Sequence, residues 1–304
     1  MALPASSAAP HWTDRILPVL FVPLWSTGFI GAKLGLPYAE PYTFLLLRYS
    51  IVAVLLGAIA LAMGAPWPKT WREWLHIAVA GLLVHAVYIS CVFDSIHHGL
   101  PSGVSALITS LQPLLTAAVA LPLLGERVGP RQWLGLALGL AGVAMVVGEK
   151  ISFEVRDPWA VILSVLALLG ISAGTIYQKR FCPNLDLRSG TAIQYVATAI
   201  YVGIFATAME TMQVQWTGRF IFALAWLMLV LSVGAVSLLF LLIRRGAASR
   251  TAALFYLVPP CTALVAYFLF DEKLGALAIA GMALTAFGVA LATRPASNPQ
   301  AAKA

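Results

Sequence analysis

The side chains that could do chemistry in this sequence are polar groups set among apolar neighbours. His85 and Tyr88 are three residues apart, so on a helix they share one face. A histidine there could line a cavity, bond a solute or carry a proton, its reference pKa being about 6.5. A neutral ring satisfied by a neighbouring helix would use the same residue. Gln112 directly precedes Pro113, and Tyr256 stands three residues before the pair Pro259-Pro260. A proline inside a helix removes an i→i−4 bond and frees a carbonyl. Paired bent helices around a site would use that carbonyl; a kink made for packing alone is the competing reading. Arg48 and Asp94 are charged residues inside apolar runs and suit gating or coupling, with simple snorkelling to the surface as the alternative for Arg48. Asp94 has His97 and His98 at i+3 and i+4, a spacing that favours a local pair. Trp25, Ser26, Tyr177, Gln178, Ser237 and Thr262 complete a candidate substrate-binding set whose aromatic members would suit a solute with an apolar side chain.

Other chemistries find no footing. Cys91, Cys182 and Cys261 are scattered, with no CxxC or other metal-ligand spacing, so neither a metal nor a cofactor is expected. The sequence has no Walker A motif, which argues against direct use of ATP. A lipid-modifying enzyme would have to use Asp94, His97 and His98, because no HxxxH, DDxxD or GxSxG pattern occurs; no catalytic residue is assigned. The net charge of +7 does not point to nucleic acid, because Lys and Arg sit in short loops and not on one helical face.

These residues have to be held by elements dissolved in lipid. Of the 304 residues, 61% are hydrophobic and 10% charged, against roughly 25% charged in soluble domains. The apolar runs are long and unbroken, whereas barrel strands would alternate. The fold class is therefore all-α and polytopic, with ten spans expected at 16–36, 42–63, 74–97, 101–123, 131–148, 158–180, 187–209, 220–243, 249–270 and 275–293. With the N-terminus inside, the inner segments hold 13 of the 19 Lys and Arg residues, the outer segments 5, and Arg48 lies within a span. That bias predicts both termini in the cytoplasm. No cleaved signal peptide is expected, and the first helix would serve as an insertion signal. The tail at 294–304 has no apolar periodicity and is expected to be disordered.

The chain also repeats itself at a shift of 146 residues. Fourteen of 32 positions are identical between 113–144 and 259–290, and eleven of 38 between 26–63 and 172–209. The matches include Pro113/Pro259, Thr116/Thr262, Glu126/Glu272, Gly135/Gly281, Gly142/Gly288 and Tyr49/Tyr195. Two five-helix units follow, 16–148 and 158–293. Five is odd, so they would cross the membrane in opposite directions, an architecture of secondary transporters. Small residues at Gly135, Gly139 and Gly142, and at Gly281, Ala283 and Gly288, would let the fifth and tenth helices pack closely, or make a homodimer contact. Glu126-Arg127 and Glu272-Lys273 read as caps or pairs at the membrane interface.

Each half closes on a shared pattern: Pro113, Thr116, Gly125-Glu126-Arg127, Gly135 and Gly142-Val143, then Pro259, Thr262, Asp271-Glu272-Lys273, Gly281 and Gly288-Val289. With Trp25-Ser26-Thr27-Gly28, Pro41 and Arg48, this resembles the EamA repeat of the drug/metabolite transporter superfamily. The resemblance spans residues 16–293. Ile171 and Gln194 stand where the first half has Trp25 and Arg48. It implies a pathway bounded by helices 1, 3, 4, 6, 8 and 9, and a carrier of small metabolites in the inner membrane. Amino-acid export is the expected activity, with export of drug-like solutes or other metabolites as the alternative. The expected partners are a small-molecule substrate and the lipid bilayer, with a monomer expected and a homodimer as the alternative.

Overall fold

Backbone N–H and C=O groups that meet no water must bond within their own segment, and long apolar runs satisfy them as helices. The computed structural model describes residues 12–100, 105, 108–125, 128–148, 157–245, 248–270 and 275–293, and these are helical apart from short connections and one isolated bridge, Ala39 with Val214. The helices are α1 (Trp12–Gly35), α2 (Pro41–Ala62), α3 (Trp71–His97), α4 (Gln112–Leu124), α5 (Pro130–Gly148), α6 (Pro158–Phe181), α7 (Leu187–Met209), α8 (Gly218–Arg245), α9 (248–270) and α10 (Ala276–Thr293). Six of them, α2, α3, α6, α7, α8 and α10, are long and apolar enough to cross a membrane, by length and composition. The caps expected at Glu126-Arg127 and Glu272-Lys273 and the tail at 294–304 lie outside the described residues.

Local chemistry sets the helix ends. Pro41 and Pro158 begin α2 and α6, where a missing N–H costs no bond. Thr70 and Glu73 form a capping box at the start of α3, and Asp157 and Asp186 cap α6 and α7. The Arg188 side chain, bonded to Asp186 at 3.0 Å, holds that half-buried carboxyl below the usual carboxylate range. The cap of α2 comes from far along the chain. Glu210 accepts from Tyr42 N at 2.7 Å, Thr43 N at 2.6 Å and Thr43 Oγ1 at 2.7 Å. Glu40 answers by accepting from Thr211 N and Oγ1 at 2.8 and 2.7 Å. With the Ala39–Val214 bridge and a Gln215 N to Tyr38 O bond of 2.9 Å, these contacts tie the α1–α2 and α7–α8 connections together.

Packing follows the 146-residue shift. α5 lies against α10, and α2 against its own counterpart, α7. A Cβ at Gly135 would stand 2.6 Å from Gly288 O, and one at Gly281 2.6 Å from Gly142 O. Adding 146 to Gly135 gives Gly281, and subtracting 146 from Gly288 gives Gly142, so the two contacts are reciprocal. Likewise Gly28 of α1 meets Leu231 of α8, while Gly174 of α6 meets Val84 of α3. The close α5–α10 approach is the one expected from their small residues.

α3 and α8 share a departure from the regular helix that hydropathy does not reveal. Each widens into a π-helical stretch, Leu82–Val87 in α3 and Leu227–Ala235 in α8, at equivalent places in the two halves. Such bulges loosen the i→i−4 ladder and often fall at functional sites.

Candidate functional site

The centre of the helices holds buried polar side chains. α1 contributes Trp25, which is 4% exposed and packs edge-on against Phe255 of α9 at 5.3 Å, with Phe21 closing the cluster. Tyr88 of α3 is buried beside Trp25. These two residues line two small cavities. One, of about 10 Å³, is bounded by Gln112, Ile171, Phe255 and Pro259. The other, of about 30 Å³, is bounded by Arg48, Ile89, Val92 and Leu231. Trp25, Tyr88 and Gln112, three of the expected substrate-binding residues, therefore meet, with Arg48 on the far side of the Trp25–Tyr88 pair.

Arg48 and Gln112 are held in different ways. Arg48 Nε donates to Ser232 Oγ at 2.9 Å, the guanidinium lies 5.2 Å from the Tyr49 ring centre, and Nη1 has no partner. Gln112 Nε2 donates to Thr175 Oγ1 at 3.2 Å, while its buried Oε1 has no donor. Thr175 returns its own proton to Ile171 O at 2.8 Å, the usual back-bond of a helical threonine.

His85 belongs to a neighbouring cluster. Its ring lies 4.7 Å from that of Tyr195 and 6.2 Å from that of Tyr49, and those two equivalent tyrosines stack at 5.4 Å. The Tyr195 hydroxyl donates to Ser232 O at 2.8 Å and Tyr49 to His85 O at 3.4 Å. Both acceptors are carbonyls of the π-helical stretches, so the paired tyrosines supply donors where those ladders are loosened. His85 Nε2 and Gln194 Oε1 are neighbours without partners in hydrogen-bond geometry. Gln178 reaches this group through Gln194, whose Nε2 donates to Gln178 Oε1 at 2.9 Å.

The remaining candidates sit apart from Trp25 and Tyr88. Ser26 Oγ donates to Val22 O at 2.7 Å and Val258 O at 3.3 Å, and Thr262 Oγ1 reaches Ser26 O at 3.4 Å, so this pair stitches α1 to α9 beside Pro259-Pro260. Tyr256 is fully buried against Gly139 of α5, its hydroxyl unpartnered. Tyr177 is bonded to His76 at 2.7 Å beside Phe181. Ser237 is half-buried on α8. Asp94 pairs with His98 at 3.2 Å, the i+4 partner, and receives the Tyr42 hydroxyl at 3.4 Å; His97 meets His98 edge-on instead. Near Tyr177, at the end of the helices opposite Glu40 and Glu210, a crevice of about 440 Å³ opens between the α2–α3 and α6–α7 connections, lined by Pro66, Trp67, Cys182 and Asp186 among others. Among the described residues no group of His, Cys, Asp and Glu could hold a metal ion.

Sequence reasoning passed over Ile171, Phe255, Ser232 and the tyrosine pair as site residues. Only the tyrosines carried a usable signal, as a matched aromatic in two otherwise divergent helices.

Buried polar side chains at the centre of long apolar helices define a multi-pass membrane protein with a polar interior site. The chain belongs to the EamA-like transporter family, whose model matches residues 16–148 and again 158–294. It is 26% identical over 272 residues to the uncharacterized inner membrane transporter YedA of Escherichia coli K12, covering 89% of this chain and 87% of that one. It is 24% identical to a probable amino-acid metabolite efflux pump of the same organism, over 91% and 93% of the two chains. It is 25% identical to a probable terminal-alkyne amino-acid exporter of Streptantibioticus cattleyicolor, over 91% and 92%. A solved crystal structure shares the fold at a TM-score of 0.76 and 21% identity, covering 91% of this chain and 96% of the other.

Proposed function

We propose that this protein is a secondary carrier, not an enzyme, that exports amino acids across the inner membrane by alternating access. In this reading ten transmembrane helices form two five-helix repeats, 16–148 and 158–293, of opposite orientation, with both termini in the cytoplasm. The observation that carries it is the reciprocal packing of equivalent helices: Gly135 on Gly288 answers Gly281 on Gly142, and Tyr49 stacks on Tyr195. Two similar units facing opposite ways can exchange conformations, which opens a shared site first to one side and then to the other. The names of two relatives, an amino-acid efflux pump and an amino-acid exporter, favour amino acids as cargo. Lysines and arginines would then put the Pro66–Asp186 crevice on the cytoplasmic side and the Glu40–Glu210 ties on the outer side. Asp94 stands outward of the centre, as a gating residue would. With no carboxylate at the centre of a span, transport is facilitated or weakly ion-coupled.

The aromatic cluster of Phe21, Trp25 and Phe255 also suits drug-like or other apolar metabolites, which is the second reading. Counterflow in liposomes with a panel of labelled amino acids separates the two. Saturable exchange of one class, weakened in Gln112→Ala, supports the amino-acid carrier. Exchange of no amino acid by folded protein transfers the proposal to other solutes.

A further inference from the structure

Resting on the carrier reading, we propose that Arg48 and Gln112 hold the two charged groups of a zwitterionic cargo. Arg48 takes the carboxylate, Gln112 takes the ammonium group, and Trp25 with Tyr88 closes over the middle.

The argument starts from a charge with no counter-charge. Arginine stays ionised in proteins, and Arg48 is 2% exposed. Its contacts are one serine hydroxyl and the face of Tyr49, while Nη1 is buried without an acceptor. Among the described residues no carboxylate pairs with it. Asp94, the acidic residue of the same span region, is engaged by His98 and Tyr42. A buried charge without a partner is strongly unfavourable, so the site is built for an anion that arrives from elsewhere. A single guanidinium neutralises a monoanion such as a carboxylate and would leave a phosphate dianion half compensated. Guanidinium and carboxylate also match in shape.

Gln112 is the complementary case. Its amide nitrogen is spent on Thr175, and its oxygen, 1% exposed as a residue, is an acceptor lacking a donor. An ammonium group carries three donors and no acceptor. The unmet acceptor and the unmet cation lie in two cavities that share Trp25 and Tyr88 as walls. At about 10 and 30 Å³ each has room for roughly one water and none for an amino acid. Separation of Trp25 from Tyr88 joins them into one site with the cation and the acceptor on its two flanks, and with Ile171 and Phe255 beside the acceptor as apolar walls for a side chain. This is the closed form of a site made for an α-amino acid with an apolar side chain.

The test is counterflow in proteoliposomes with phenylalanine and leucine, their carboxamides, the same acids lacking the amino group, and phenyl phosphate. Wild-type protein should exchange the amino acids and discriminate against each altered compound by about tenfold or more, the worth of a hydrogen bond to a charged group. Arg48→Gln should lose the preference for acid over carboxamide, and Gln112→Leu the preference for amino over deaminated acid, each leaving the other preference in place. Arg48→Lys, which keeps the charge, should retain part of the first preference and serves where the Gln variant misfolds. Carboxamides or phenyl phosphate exchanged as fast as the amino acids by wild-type protein would overturn the assignment and leave the carrier reading intact. Exchange of neither amino acid would overturn both. The wild-type series needs no variant to fold.

Discussion

At the scale of single residues, the centre combines satisfied groups with conspicuously unsatisfied ones. Tyr195 and Tyr49 occupy equivalent places but make unequal bonds, 2.8 Å to Ser232 O and 3.4 Å to His85 O. Bond strength falls off over that range. Tyr195→Phe should therefore cost about 1 kcal/mol of stability, the usual net worth of a hydrogen bond, and Tyr49→Phe clearly less. Unfolding titrated with dodecyl sulfate in mixed micelles reads the difference; equal losses would mean that the tyrosines act through stacking alone. The candidate residues were legible because polarity in an apolar run is conspicuous. Their partners were not. Nothing in the order of residues says that Arg48 meets Ser232, 184 positions away, or that Tyr256 turns to Gly139 while Phe255 and Pro259 face the cavity beside Gln112.

At the scale of elements, the α5–α10 pair is the most closely packed. A Cβ at Gly142 would stand 2.4 Å from Thr285 Oγ1 and 2.5 Å from Thr285 N, whereas one at Gly57 on α2 would meet nothing within 4 Å. Overpacking of this kind costs about 1–3 kcal/mol. Gly142→Ala should lose stability on that order. Gly57→Ala should gain about 0.5–1 kcal/mol from the lower conformational freedom of alanine in a helix. Opposite signs in the same unfolding assay are the expected result, and like signs would remove the close approach as the cause. Most helix positions came from hydropathy, but α1 begins at Trp12, four residues before the expected 16, and α4 begins at Gln112, after a turn at 110–111, inside the span expected at 101–123. The π-helical stretches in α3 and α8 did not, because they depend on what packs against Gly81 and Gly174 and on which hydroxyls meet the loosened carbonyls.

At the scale of the whole molecule, the two ends of the helices differ. Glu40, Glu210 and the Ala39–Val214 bridge tie one end, and a crevice of about 440 Å³ opens at the other. Alternating access requires the tied end to part. A disulfide between Ala39→Cys and Val214→Cys, in a background with Cys91, Cys182 and Cys261 replaced, should abolish counterflow when oxidised and restore it on reduction. Full exchange by the oxidised protein would show that this end is not a gate.

The sequence by itself determined the class of this protein. Apolar length dictates helices in lipid, the 146-residue repeat dictates two like units, and the charge bias sets an expected orientation, because each of these is written locally along the chain. Tertiary structure alone decided which polar groups share a cavity, which helix caps another across 168 positions, and which charge is left without a partner. Those outcomes depend on distances between segments far apart in the chain, and an unmet hydrogen bond becomes visible only when every neighbour has taken its place.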